Sequence, residues 1–398
     1  MVLQRVGWLA WLLVAALVTA CGKPAPLPND AYVWQRQWTP TLSRAVAKPS
    51  APIRVWRVLA AEMDVHGQWR MFTPDWQALA ASGMPVVAVV RIEGQLQQWD
   101  QPVLLGGVRQ VLSRWRVQRV VFAGVEIDHD CATSRLPDYA SFLSALRPHL
   151  QGGERLSVTA LPTWLDSASL DDLLAQADES VLQVHAVQSP RAGLFNAEKA
   201  HEWLADFARH TRRPWRVALP AYGTRVSWGA DGRVSSIESE RPTLIGSEGS
   251  SELFADPRLM QRFVASLENE APPGLAGVVW FRLPTDDDSR AWSTASWDAV
   301  LGRTPLRMSL RAVAEPSADP QRYDVRLLNE GDADVPLPSL VRVEGTCVAA
   351  DGINGYGLQR GERGVYLQRS SAGSLRAGRG MAIGWLRCDA APVLRTEF

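Results

Sequence analysis

Apolar residues along this 398-residue chain come in short runs separated by amphipathic stretches. Eight runs read as strands: Ala31–Trp38, Ile53–Leu59, Pro85–Ile92, Val117–Asp130, Arg155–Leu161, Val181–Val187, Arg216–Tyr222 and Leu275–Leu283. Short runs with little polar alternation suit strands covered on both faces, as in parallel sheets. Between them, Leu136–Leu146, Ala197–His210 and Asp256–Asn269 carry apolar side chains at helical spacing. Pro137 stands in a first turn, where its missing N–H costs nothing. Strands that alternate with helices need crossover connections. Eight such units over about 250 residues predict a (β/α)8 TIM barrel, class α/β, across 31–304.

Two segments break the rhythm. Arg225–Glu240 reads as a hairpin around Asp231-Gly232, inserted on the C-terminal face of the barrel. From Pro305 onward, short alternating strands are expected at Leu306–Val313, Tyr323–Leu328, Leu340–Cys347, Gly364–Arg369 and Met381–Cys388. Turns rich in Gly, Asp and Pro separate them, which predicts a small C-terminal β-sandwich over 305–398. At the other end, Gly22–Asp30 is proline-rich and reads as a tether.

The N-terminus reads as a targeting segment. Arg5 precedes an apolar stretch, Val6–Val18, too short to span a bilayer as a helix. Val18-Thr19-Ala20-Cys21 has the form of a lipobox. The expectation is a signal peptide over 1–21, acylation of Cys21 and a lipid anchor in a membrane, with the rest of the chain outside the bilayer. Gly22 follows the cysteine where an Asp would favour inner-membrane retention, so the expected location is the cell envelope, on the periplasmic face of the outer membrane. Formal net charge is zero, which argues against a nucleic-acid partner. In an oxidising compartment Cys347 and Cys388 are expected to pair. No Cys/His spacing points to zinc, and no cofactor is expected.

Candidate chemistry concentrates at the end of the fourth run. Phe122, Gly124, Glu126, Asp128 and Asp130 share one strand face, and His129 has the opposite parity. Three carboxylates on one face repel and lose hydration, which raises a carboxyl pKa and prepares a general acid. Other readings stand beside this one. The acids can pair with arginines as structure, Asp130 can cap the next helix, or the three can hold a divalent cation through oxygen ligands. Other strand ends bring Trp34, Arg36, Glu62, Asp64, Arg91, Glu93, Trp164, Gln183, His185, Tyr222, Trp280 and Arg282. Aromatics mixed with carboxylates suit a sugar, whose faces stack and whose glycosidic oxygen accepts a proton. Asp286-Asp287-Asp288 is expected to cap the following helix.

Ala123-Gly124-Val125-Glu126-Ile127-Asp128-His129-Asp130 resembles the fourth-strand signature Asp-Gly-x-Asp-x-Asp-x-Glu of family 18 glycoside hydrolases, the chitinase-like barrels. Pro220-Ala221-Tyr222-Gly223 is similar to their seventh strand and Gly277-Val278-Val279-Trp280 to their eighth. The resemblance implies a carbohydrate ligand held by Tyr222, Trp280 and Trp34, with Asp130 as acid, Asp128 orienting or stabilising, and Glu126 tuning both. The chain departs from the pattern in three places. Asp130 replaces a Glu, Ala123 replaces the first Asp, and His185-Ala186 replaces a Tyr-Asp pair on the sixth strand. That pair helps the substrate's own acetamido group attack, so a two-carboxylate route stands beside that one. The whole chain also resembles a family of bacterial lipoproteins, domain of unknown function 3142, through Tyr32-Val33-Trp34-Gln35-Arg36 and Asp128–Tyr139. Two readings of function follow: a glycoside hydrolase, or a non-catalytic glycan-binding or scaffolding lipoprotein.

Overall fold

A computed structural model describes residues 25–398 apart from 188, 230, 232, 239–249, 362–363 and 371–372. Cys21 and the targeting segment lie outside the described residues, as does Gly232 of the expected turn. Among the described residues, no helix is long and apolar enough to cross a membrane.

Strands β1 (Asn29–Val33), β2 (Ile53–Met63), β3 (Pro85–Ile92), β4 (Val121–Asp128), β5 (Arg155–Ala160), β6 (Glu179–Gln183), β7 (Trp215–Pro220) and β8 (Leu275–Phe281) are parallel neighbours in chain order. β1 pairs with both β2 and β8, so the sheet closes into an eight-stranded barrel. Helices α1 (Pro40–Ala47), α2 (Trp76–Ser82), α3 (Gln101–Arg116), α4 (Leu136–Leu146), α5 (Leu170–Ala175), α6 (Ala197–His210), α7 (Pro257–Asn269) and α8 (Thr294–Leu301) each follow one strand. Asp75, Asp100, Asn196 and Asp256 accept first-turn N–H groups and start four of these helices.

Side chains alternate across the wall. The outward set, including Trp56, Trp215 and Trp280, is buried under the helices, in one cluster with Trp115 of α3 and with Trp164 and Trp292 from the segments that follow β5 and β8. The inward set is a separate apolar cluster of Tyr32, Trp34, Leu59, Phe72, Val89, Val181, Ala218 and Val279, with Phe281 against it.

Element boundaries differ from expectation where charge or backbone geometry intervenes. The expected tether is shorter: Asn29 and Asp30 already lie in β1, buried, because the Asp30 carboxylate pairs with Arg57 inside the barrel. β4 starts at Val121 because α3 runs on to Arg116. The insertion is a three-stranded antiparallel sheet, with Gly223–Trp228 between Val234–Glu238 and Ser250–Phe254. Its third strand was not expected from the sequence.

The C-terminal region is a sandwich of two four-stranded antiparallel sheets. One orders Leu310–Pro316, Arg322–Asn329, Gly380–Cys388 and Cys347–Gly352; the other orders Tyr356–Gly361, Gly364–Arg369, Leu340–Glu344 and Val393–Glu397. The expected strand Leu340–Cys347 is split near Gly345, whose φ of +143° favours glycine. A disulfide joins Cys347 to Cys388, which face each other across adjacent strands.

The sandwich completes the barrel's last helix. Buried Asp334 accepts hydrogen bonds from the backbone N–H of Ser293 (2.7 Å), which caps α8, and from that of Ala377 (2.8 Å). Its own N–H donates to Ser296 Oγ (2.8 Å). Asp334→Ala strands two donors, so we expect a loss of about 1–3 kcal/mol in unfolding free energy, read by urea denaturation. A loss below about 0.5 kcal/mol would show that water replaces the carboxylate.

Candidate functional site

The barrel interior is layered along its axis. At the bottom lies a largely buried charge network. Arg57 on β2 pairs with Asp30 on β1, Glu126 on β4 and Glu179 on β6. Arg216 on β7 donates through Nε to Glu179 (2.9 Å) and lies 3.3 Å from Asp30. Glu126 also accepts from Tyr32 Oη (2.6 Å) and Ser157 Oγ (2.7 Å), and no part of it is exposed. Burial opposes the Arg57 charge, but Glu126, Glu179 and Asp30 hold its pKa above the usual guanidinium range. Asp30 shows the opposite balance, because desolvation raises its pKa despite the two arginines.

Above the plug is a cavity of about 260 Å³ open toward the C-terminal face of the barrel. Tyr32, Trp34, Tyr222 and Phe281 supply aromatic wall, and Asp128, Asp130, Arg36, Arg91, Thr159, Gln183 and His185 supply polar groups. Thr224, Val226 and Leu253 of the inserted sheet form part of its rim, with Gly193 and Leu194 beside them. A shallower groove continues past Arg36 and Arg91 to Glu62, Asp64 and Glu93. Arg36 grips Glu62 through two hydrogen bonds, Nε to Oε2 (3.0 Å) and Nη2 to Oε1 (2.7 Å).

The acid ladder is thus divided. Glu126 points the same way as the others but does not reach the cavity, since Arg57 and Tyr32 enclose it. Glu126 is paired with Arg57, as the structural reading expects, and its charge is still among the causes that raise the Asp128 pKa. Asp128 is buried at the cavity wall and accepts from Thr159 Oγ1 (2.8 Å). Burial and then the neighbouring Asp130 push its pKa up to about 8, against Thr159 and Arg91. Asp130 is exposed at the mouth, yet the surrounding wall strips enough hydration to raise its pKa; Arg91 opposes the rise and Glu93 adds to it. Gly94 allows this geometry, because a Cβ there would lie 2.1 Å from the Asp130 carbonyl oxygen.

His129 faces outward as its parity requires, with Nδ1 3.0 Å from the Ile92 carbonyl and its ring against Trp99 and Tyr139. Trp280 also faces outward. It is fully buried, donates Nε1–H to Asn29 Oδ1 (3.0 Å) and packs on Trp292 and Trp297. It cannot stack on a ligand in the cavity, and Phe281 occupies the inward position at the end of β8. Trp34, His185 and Tyr222 all line the cavity. Ser293 caps α8 in place of the expected aspartates. Asp288 instead pairs with buried Arg282 and accepts from the N–H groups of Arg290 and Ala291, and Asp287 accepts from Thr39 Oγ1. Among the described residues, no three His, Cys, Asp or Glu side chains are grouped to hold a metal ion.

Asp128 makes stability depend on pH. Its folded pKa of about 8 lies above the carboxylate value of 3.8, so the folded state binds the proton more tightly. Its contribution is therefore lost as pH rises from about 4 to about 8. Asp128→Asn removes this slope, and its stability advantage over the wild type should widen across that window in urea unfolding series. A constant gap would mean that Asp128 is ionised throughout.

The profile of the family described as Domain of unknown function (DUF3142) matches residues 82–286, and that of Domain of unknown function (DUF8456) matches 312–389 in the sandwich. No curated protein matches the chain in sequence. Among solved structures, the spore cortex-lytic enzyme SleL of Bacillus megaterium QM B1551 is 12% identical with TM-score 0.50, over 71% of this chain and 75% of that one. A chitinase from Bacteroides thetaiotaomicron is 12% identical with TM-score 0.50, over 65% of this chain and 90% of that one. SleL of Bacillus cereus gives TM-score 0.49 at 12% identity, over 71% of this chain and 76% of that one. At this identity the likeness is one of fold, a chitinase-like TIM barrel. The first family profile runs from the end of α2 past the end of β8, over half of the chain, and the chain belongs to that family, Domain of unknown function (DUF3142).

Proposed function

We propose that the barrel hydrolyses glycosidic bonds, with Asp130 as the general acid and Asp128 as the group that steadies positive charge at the reacting sugar carbon. The observation that carries this reading is the pair of acids in one aromatic-walled cavity, both with raised pKa. The Asp130 charge opposes ionisation of Asp128, so the last proton to leave belongs to the pair rather than to either carboxyl. One can donate to a leaving oxygen while the other bears negative charge. Asp130 stands at the mouth, where a leaving group reaches solvent. Tyr32, Trp34, Tyr222 and Phe281 offer faces and edges for a pyranose ring.

The family 18 resemblance supports the same assignment. The proposal includes the N-terminal reading: a lipoprotein acylated at Cys21, exported and held at the periplasmic face of the outer membrane.

One observation favours a non-catalytic glycan-binding protein instead. Asp130 is a methylene shorter than the Glu of family 18, and an error of about 1 Å can cost roughly 10²-fold in rate. The test is to incubate the purified protein with β-1,4-linked tetrasaccharides of N-acetylglucosamine, glucose and mannose. Shorter products seen by mass spectrometry support hydrolysis. Calorimetric binding without products supports the second reading, and neither binding nor products sinks both. The mass of the N-terminal peptide from membrane-derived protein reports acylation of Cys21.

A further inference from the structure

Beyond the end of β6 the cavity holds a polar side chain that nothing among the described residues satisfies. His185 is 3% exposed and lines the cavity. Neither ring nitrogen has a hydrogen-bond partner among the described residues. Its ring lies 5.5 Å from that of Phe281 and edge-on to Tyr222 at 5.9 Å, between centroids. Burial pushes its pKa down to about 3. The imidazole is therefore neutral, with one N–H donor and one bare acceptor nitrogen. Buried polar atoms are rarely left unpaired, and each such case asks for a reason.

The backbone beside it is strained. Ala186 holds φ +55°, a left-handed conformation that non-glycine residues seldom adopt. The Ala186 N–H donates to the Leu194 carbonyl (2.9 Å), and His185 bridges to Phe195. Strain of this kind persists where surrounding contacts enforce it, and it clusters at ligand sites.

We propose that His185 is a specificity-determining residue of the cavity. Its ring donates one hydrogen bond and accepts another from adjacent hydroxyl or amide groups of a neutral sugar held beside Tyr222 and Phe281. This deepens the glycan reading and rests on it. A packing role would be served better by an apolar ring, because the two unpaired nitrogens only add desolvation. A ligand that meets both nitrogens completes the site. A sugar lacking either group leaves a buried polar atom unpaired and is rejected.

The test uses His185→Phe, which keeps an aromatic ring and removes both polar atoms. We expect its melting temperature to equal or exceed that of the wild type. We expect its affinity for whichever β-1,4 tetrasaccharide binds best (of N-acetylglucosamine, glucose or mannose) to fall at least about tenfold, the loss of two hydrogen bonds. Nitrogen NMR of the wild-type ring provides a readout independent of the variant's folding. Both ring resonances should move on adding that tetrasaccharide. Binding by the variant within twofold of the wild type, or ring resonances that stay put, overturns the role of His185 and leaves the glycan reading standing. Failure of every tetrasaccharide to bind the wild type overturns both.

Discussion

Asp130→Asn should lower turnover of a cleaved tetrasaccharide by about 10²- to 10⁴-fold, the range that a positioned general acid contributes. Asn has nearly the same shape as Asp, so the mouth of the cavity and the aromatic wall should persist. Binding should stay within a few-fold of wild type. The variant also has an effect at Asp128. The Asp130 charge is the second largest cause that raises the Asp128 pKa, so its removal should bring that pKa down from about 8. The acid limb of the pH–rate profile should shift with it wherever residual turnover is measurable. Turnover equal to wild type would show that the proton comes from elsewhere and end the assignment. A full loss of binding would mean that Asp130 holds the ligand rather than protonating it.

Arg57→Leu should be the most destabilising single change in the barrel. Arg57 is 2% exposed and bonds Asp30, Glu126 and Glu179 at once. Truncating one partner of a buried ion network leaves uncompensated charge, at a cost of about 3–5 kcal/mol. Arg216 remains beside Asp30 and Glu179, and Tyr32 and Ser157 beside Glu126, so folding should survive at moderate temperature. The loss should depend on pH in a definite sense. Without their arginine, the acids gain raised folded pKa values, so the folded variant takes up protons at low pH and is destabilised as pH rises. Urea unfolding at pH 5 and pH 8 should show the larger loss at pH 8. A loss below about 1 kcal/mol at both values would mean that water enters the plug and solvates the acids.

The barrel was legible because its eight strands and their helices repeat one simple pattern. The shared face of Glu126, Asp128 and Asp130 was legible as well, since strand parity fixes it. What parity could not give is depth. Glu126 lies one pleat below Asp128, and the difference between plug and cavity depends on Arg57, the buried one of two arginines in the run Ile53–Leu59, whose partners are distant in sequence. Charges inside expected strands, at Arg57 and Glu126, were the available signal; Asp30 fell in the expected tether and Glu179 just before the expected strand Val181–Val187. Trp280 was misread for a related reason. Val279 belongs to the interior cluster, so parity counted from it turns Trp280 outward and Phe281 inward. The third strand of the insertion and the sandwich strands Tyr356–Gly361 and Val393–Glu397 escaped because polar and glycine-rich sequence carries weak alternation.

The charge plug at the base also decides how molecules move through this barrel. With that floor filled by side chains, the cavity above it opens toward the C-terminal face and, among the described residues, not through the base. Whatever enters at that face cannot leave through the base. A long polymer cannot thread through the ring; it can offer only a terminus, or one unit bent out of line, while the remainder lies across the rim.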